Sequence, residues 1–133
     1  MKMKSVTQED LMGCGIACAA VILNKSYDST KKLFNKNHAI SRGYYCGKIV
    51  KVLNRPKKEF YKFAKVNDRN KKFLQENGTI IFTKGNKYPL GYYLIKTRRG
   101  WMNPWINFPK LSAESGFQKK LPGKAAWIIF RNI

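Results

Sequence analysis

The stretch Gln8-Glu9-Asp10-Leu11-Met12-Gly13-Cys14-Gly15-Ile16-Ala17-Cys18 sets a glutamine six residues before a cysteine, and that cysteine opens the uncharged run Cys14 to Leu23. Small and aliphatic residues fill the run, so it reads as a compact helix buried on nearly all sides. A cysteine at a helix N-terminus lies among unpaired backbone N–H groups and the positive end of the macrodipole, both of which favour thiolate over thiol. Gln8 can hold a side-chain amide donor beside Cys14 and its backbone N–H, the pair of donors that a developing oxyanion requires in acyl transfer. These residues are the front half of a thiol-enzyme site. The base that usually completes such a site is missing from the pattern, because His38 is the only histidine in the chain.

Working outward, Asn24-Lys25-Ser26 breaks the first helix, and Ser26 can cap a second, amphipathic one that shows Tyr27, Leu33 and Phe34 on one side. Asn35 to Gly43 reads as a loop, and a third helix is predicted over Tyr45 to Leu53, ended by Arg55-Pro56. Beyond Pro56 the pattern changes to short β-prone runs bounded by turn residues: Glu59 to Val66, Thr79 to Thr83, Tyr92 to Thr97 and Ala125 to Arg131. Three helices followed by four strands, without alternation, predict an α+β fold with an antiparallel sheet packed on the helical half. The length of 133 residues, with 44% hydrophobic and 14% aromatic residues, predicts a single folded domain over residues 1–133.

The charge is lopsided: 27 Lys plus Arg against 7 Asp plus Glu, a net +20. Such a surface attracts polyanions, and nucleic acid, an anionic membrane face and an acidic peptide all satisfy it. No recognised nucleic-acid module accompanies the charge, and pairs such as Lys31-Lys32, Lys57-Lys58, Lys71-Lys72 and Lys119-Lys120 spread it along the chain. Three cysteines, two of them one helical turn apart, do not make a disulfide framework, so a reducing, cytoplasmic setting is expected. Lys2 and Lys4 before the run Leu11 to Leu23 imitate a secretory signal, but Glu9 and Asp10 stand directly before the run. Leu11-Met12-Gly13-Cys14 imitates a lipoprotein box, yet it precedes the hydrophobic stretch that such a box must follow. No apolar run approaches the ~20 residues of a transmembrane helix. Cys14, Cys18, Cys46 and His38 do not show the spacing of a metal site, and no cofactor is expected.

Gln8, the Cys14-Gly15-Ile16-Ala17-Cys18 helix start, and the later Gly91-Tyr92-Tyr93-Leu94-Ile95 and Asn103-Pro104 segments follow one another in an order that resembles the bacteriocin-processing papain-like cysteine peptidases. Those domains remove double-glycine leaders and are often fused to export transporters. The resemblance implies a papain-like fold over nearly the whole chain. It assigns the oxyanion hole to Gln8 and the attack to Cys14. It places a histidine where this chain has Tyr92, and an aspartate where this chain has Asn103. An amide can orient an imidazole in papain-like sites, so Asn103 fits its role. A tyrosine does not replace the imidazole, since a phenol with a pKa near ~10 stays protonated at neutral pH. Gly13 also stands where many members carry an aspartate. Trp101 and Trp105, flanking Asn103, are expected to shield the site.

The sequence therefore predicts a standalone leader-peptidase-like domain, impaired by Tyr92, that keeps a reactive thiol and a cleft for a peptide or protein substrate. Gln8, Cys14, Tyr92 and Asn103 are expected to converge in that cleft. The alternative is a basic binding protein or toxin-like effector that grips nucleic acid or another anionic partner, with Cys14 structural. The position of the lysines, gathered round the thiol cleft or spread over the fold, discriminates between the two. The oligomeric state is not written in the sequence.

Overall fold

The computed structural model describes residues 3–35, 38, 43–55 and 60–131. Helix α1 spans Cys14–Leu23, as the uncharged run predicts, and residues Cys14 to Val21 are all buried. Asn24 ends it in the left-handed conformation at φ 55°, with N–H groups of Asn24 and Lys25 returning to the carbonyls of Val21 and Ala20. Asparagine tolerates this conformation better than most side chains. Helix α2, Tyr27–Lys31, is capped by Ser26, whose Oγ accepts from the Ser29 N–H at 3.1 Å. It is shorter than the amphipathic pattern predicts. The N–H groups of Leu33 and Phe34 bond back three residues, to Thr30 and Lys31, so the chain tightens into turns while Phe34 stays buried.

Helix α3, Cys46–Leu53, buries Ile49, Val52 and Leu53. Asn54 at its end exchanges two hydrogen bonds with the Tyr61 backbone, at 2.8 and 3.1 Å, tying the helix to the start of the sheet. Most of the loop expected over Asn35 to Gly43, together with Pro56, Lys57, Lys58 and Glu59, lies outside the described residues.

The sheet has six strands: β1 Tyr61–Lys65, β2 Ile80–Lys84, β3 Tyr92–Thr97, β4 Gly100–Asn103, β5 Gly116–Gln118 and β6 Lys124–Arg131. Their order is β1-β6-β2-β3-β4-β5, and every neighbouring pair is antiparallel. The expected α+β layout is present. The four strands read from the sequence are β1, β2, β3 and β6, each within a few residues of its predicted range. Strands β4 and β5 were not read, because four and three residues are too short to show alternation. A short 3-10 helix, Lys71–Gln75, joins β1 to β2.

Helix α1 packs on β3, and α3 packs on β1 and β6. The core between them is aliphatic, with Ile16, Ile49, Ile80, Ile81, Leu94, Ile95, Met102, Ile128 and Ile129 fully buried. Consecutive residues along β3, from Tyr92 to Ile95, are all buried, so this central strand is covered on both faces. Its entry is set by Gly91 at φ 92°, where an added Cβ would overlap the Phe82 ring. Gly91→Ala is therefore expected to lower stability by about 1–3 kcal/mol, since it combines left-handed strain with a clash. Urea unfolding measures it, and an unchanged midpoint would contradict the role of this glycine in placing Tyr92.

Candidate active site

Cys14 is the first residue of α1, with Gly13 before it. A side chain at Gly13 would run into the Tyr27 hydroxyl, which donates to Asp10 Oδ2 at 2.7 Å. Lys31 Nζ completes this cluster against the Asp10 carboxylate at 2.9 Å. The space beside Cys14 is thus filled from another helix.

The Cys14 sulfur accepts from the backbone N–H of Tyr93 at 3.4 Å, which fixes α1 against β3. Burial pushes its thiol up to about 11, and the N–H groups of Tyr93, Gly15 and Cys14 itself only partly offset that. The helix N-terminus was expected to favour thiolate. Desolvation wins, and Cys14 is a protonated thiol at neutral pH.

Gln8, Tyr92 and Asn103 meet in one hydrogen-bonded group. The Tyr92 hydroxyl lies 2.7 Å from Asn103 Oδ1 and 3.1 Å from Gln8 Oε1, so its single proton faces two acceptors. Gln8 Nε2 donates to the carbonyls of Asp10 and Leu11 at 3.0 and 3.1 Å. Two carbonyls on that end fix which end of the amide carries the hydrogens, and they occupy the donor that was expected to serve an oxyanion. Asn103 Oδ1 also accepts from the Trp105 N–H at 2.9 Å, while Asn103 Nδ2 donates to Gln118 Oε1 at 2.8 Å. Burial, and then the proximity of Cys14, raise the Tyr92 hydroxyl far above the ordinary phenol range. It acts only as a donor.

Three of the four expected residues, Gln8, Tyr92 and Asn103, share hydrogen bonds, while Cys14 bonds to the neighbouring Tyr93 N–H, and the four are not equally open. A cleft of about 580 Å³ is lined by Cys14, Cys46, Tyr93, Phe82 and Trp127 among others, and Gln8, Tyr92 and Asn103 are not in its lining. Those three are 3%, 5% and 1% exposed. The cleft therefore meets the thiol, and the polar group is sealed behind it. Tyr88 stacks on Tyr92 with ring centroids 4.1 Å apart, and Phe108 and Trp105 extend the aromatic layer. Trp105 shields the group as expected, and Trp101 is buried on β4.

Two residues escaped the sequence reading. Gln118 holds Asn103 from β5, a strand that left no pattern to read. Cys46 opens α3 and faces the cleft, its sulfur 3.5 Å from the Tyr93 hydroxyl. That hydroxyl donates to the Tyr44 carbonyl at 2.8 Å, so the Cys46 thiol is the donor to Tyr93. His38 lies against Tyr44, ring centroids 5.7 Å apart, and is not in the cleft lining. Only one cation, Lys84, lines the cleft among the described residues, so the basic charge is not gathered at the thiol.

No protein-family model matches the sequence, and no curated protein does. Among solved structures the chain is similar to the peptidase domain of Streptococcus ComA, a bi-functional ABC transporter involved in a quorum-sensing pathway. The match covers 98% of each chain at a TM-score of 0.56 and 18% identity. At that identity the likeness is one of fold: the chain shares the architecture of that peptidase domain.

Tyr92→Phe should cost about 1–3 kcal/mol, because it removes the one proton that the buried Asn103 Oδ1 and Gln8 Oε1 share. Tyr88→Phe is its control. The Tyr88 hydroxyl is buried with only a weak approach to Asn103 and no well-formed hydrogen bond, so its removal should cost less than that of the Tyr92 hydroxyl. Equal denaturant midpoint shifts for the two variants would contradict the hydrogen-bonded role of Tyr92.

Proposed function

We propose that this chain is a cysteine-peptidase-like domain of the double-glycine leader-peptidase type, which binds peptide but hydrolyses it poorly. The observation that carries the reading is the Tyr92 hydroxyl donating to Asn103 at 2.7 Å, in the place where the resemblance puts an imidazole. Thiol hydrolysis needs a base to take the cysteine proton, an orienting group for that base, and donors for the oxyanion. Asn103 is present as an orienting group, but what it orients is a phenol that gives a proton instead of accepting one. Cys14 keeps its proton through burial. The Gln8 amide hydrogens are held by backbone carbonyls. What stays available is the cleft itself, lined by the aromatic rings of Phe82, Tyr93 and Trp127 and by Cys14. Such a concave, mostly apolar site with few polar groups suits an extended peptide.

The test is repair. Tyr92→His supplies an imidazole beside Cys14 with Asn103 to orient it, and a positioned base is worth about 10²–10⁴-fold in rate. Alkylation of Cys14 at neutral pH and cleavage of a glycine-glycine peptide should both rise in the variant, and Cys14→Ala on that background should abolish both gains. Wild-type cleavage as fast as that of the variant would overturn the impaired-peptidase reading. A folded variant that gains neither property would make Cys14 a core residue.

A further inference from the structure

A second groove, of about 770 Å³, lies away from the thiol and is lined by Lys4, Ser5, Asn77, Thr97, Arg98 and Arg99 along with Met3. We infer that it is a binding site for the phosphodiester backbone of a nucleic acid.

The donors are of the right kind. Three cations, a hydroxyl and a side-chain amide face one recess, and no carboxylate lines it among the described residues. Arginine, lysine, serine and asparagine side chains are the groups that hold phosphate oxygens. None of the three cations is in an ion pair: those among the described residues join Lys31 to Asp10, Lys32 to Asp28 and Lys71 to Asp68.

The donors are also held in place. Arg98 and Arg99 occupy the turn between β3 and β4, where Thr97 Oγ1 donates to the Gly100 carbonyl at 2.8 Å and accepts the Arg99 N–H at 3.1 Å. The Arg99 guanidinium lies over the Phe117 ring, 4.3 Å from its centroid. Stacking on one face leaves the edge of the guanidinium, with its fork of N–H groups, free for bidentate contact with a phosphate. Lys96 Nζ, bonded to the Thr97 carbonyl at 2.9 Å, adds positive charge beside the turn.

The surroundings favour a polyanion in water over a lipid surface. The large exposed apolar side chains are Leu11, Tyr45, Phe60, Phe63, Leu90 and Leu111, and none of them lines this groove. A membrane-binding face would set such side chains next to its basic groups. Among the described residues no helix lines the groove and the β3–β4 hairpin enters it only by its turn, so binding should be largely indifferent to base sequence.

The experiment measures fluorescence anisotropy of a labelled single-stranded oligodeoxynucleotide across a salt series, with the full chain. Arg98→Ala/Arg99→Ala should weaken binding at least about tenfold and reduce the slope of log K against log salt by about 0.7 for each arginine. Lys25→Ala/Lys62→Ala removes the same charge from exposed positions outside the groove and should change little. Since Arg99 also packs on Phe117, Arg99→Lys is the second variant: it keeps the charge, loses the fork, and should weaken binding by a smaller factor. Equal losses in the two alanine pairs, or none in either, would overturn the site. So would arginine-dependent binding to phosphatidylserine vesicles or polyglutamate when the oligonucleotide does not bind.

Discussion

The hydroxyl of Tyr92 holds the candidate site together. It reaches Asn103 on the neighbouring strand β4 and Gln8 on the N-terminal segment, joining the β3–β4 hairpin to a piece of chain far away in sequence. A backbone bond from the Gln8 N–H to the Pro104 carbonyl, at 3.2 Å, runs alongside it. Without the hydroxyl, two buried amide carbonyls would lose the donor they share, and burying such groups is costly. The hydroxyl has one proton for two acceptors, Asn103 Oδ1 and Gln8 Oε1, and burial keeps that proton on it.

Cys14 shows how two local effects compete. Its position at the start of α1, and the N–H groups pointing at its sulfur, favour the thiolate. Its burial between α1 and β3 favours the thiol, and burial is the larger effect. The second cysteine of the cleft, Cys46, is likewise pushed up by burial. Tyr93 thus bridges both thiols, through its N–H to Cys14 and its hydroxyl to Cys46. One strand, β3, presents Tyr92 to the sealed polar group and Tyr93 to the cleft, the alternation expected of successive strand residues.

How far the sequence could be read depended on the length and purity of each pattern. The uncharged run Cys14–Leu23 and the β-branched and aromatic run Tyr92–Thr97 were legible to the residue, and of the residues singled out Gln8, Tyr92 and Asn103 share hydrogen bonds. Helix α2 was overread, because Leu33 and Phe34 continue an amphipathic pattern that the backbone leaves after Lys31. Strands β4 and β5 were too short to register, and with β5 went Gln118, the residue that anchors Asn103. The direction of the Gln8 amide was beyond reach for another reason: it is set by the carbonyls of Asp10 and Leu11, whose approach depends on the turn before α1. The clustering of Lys4 with Arg98 and Arg99 was likewise invisible, since the fold brings together cations that are distant in the chain.

The central claim is that Cys14 is a protonated thiol beside a phenol, and not half of an ion pair with a base. Ultraviolet titration of the thiolate, taken as the difference between wild type and Cys14→Ala, tests it most directly. Unfolded, the thiol ionises near 9.0, and in the fold it is raised to about 11, so the account predicts no Cys14 thiolate at neutral pH and its appearance only as pH approaches 11. The folded state then loses stability as pH rises through that window, because the unfolded chain releases the proton first. A Cys14 thiolate already present at pH 7 would contradict the account.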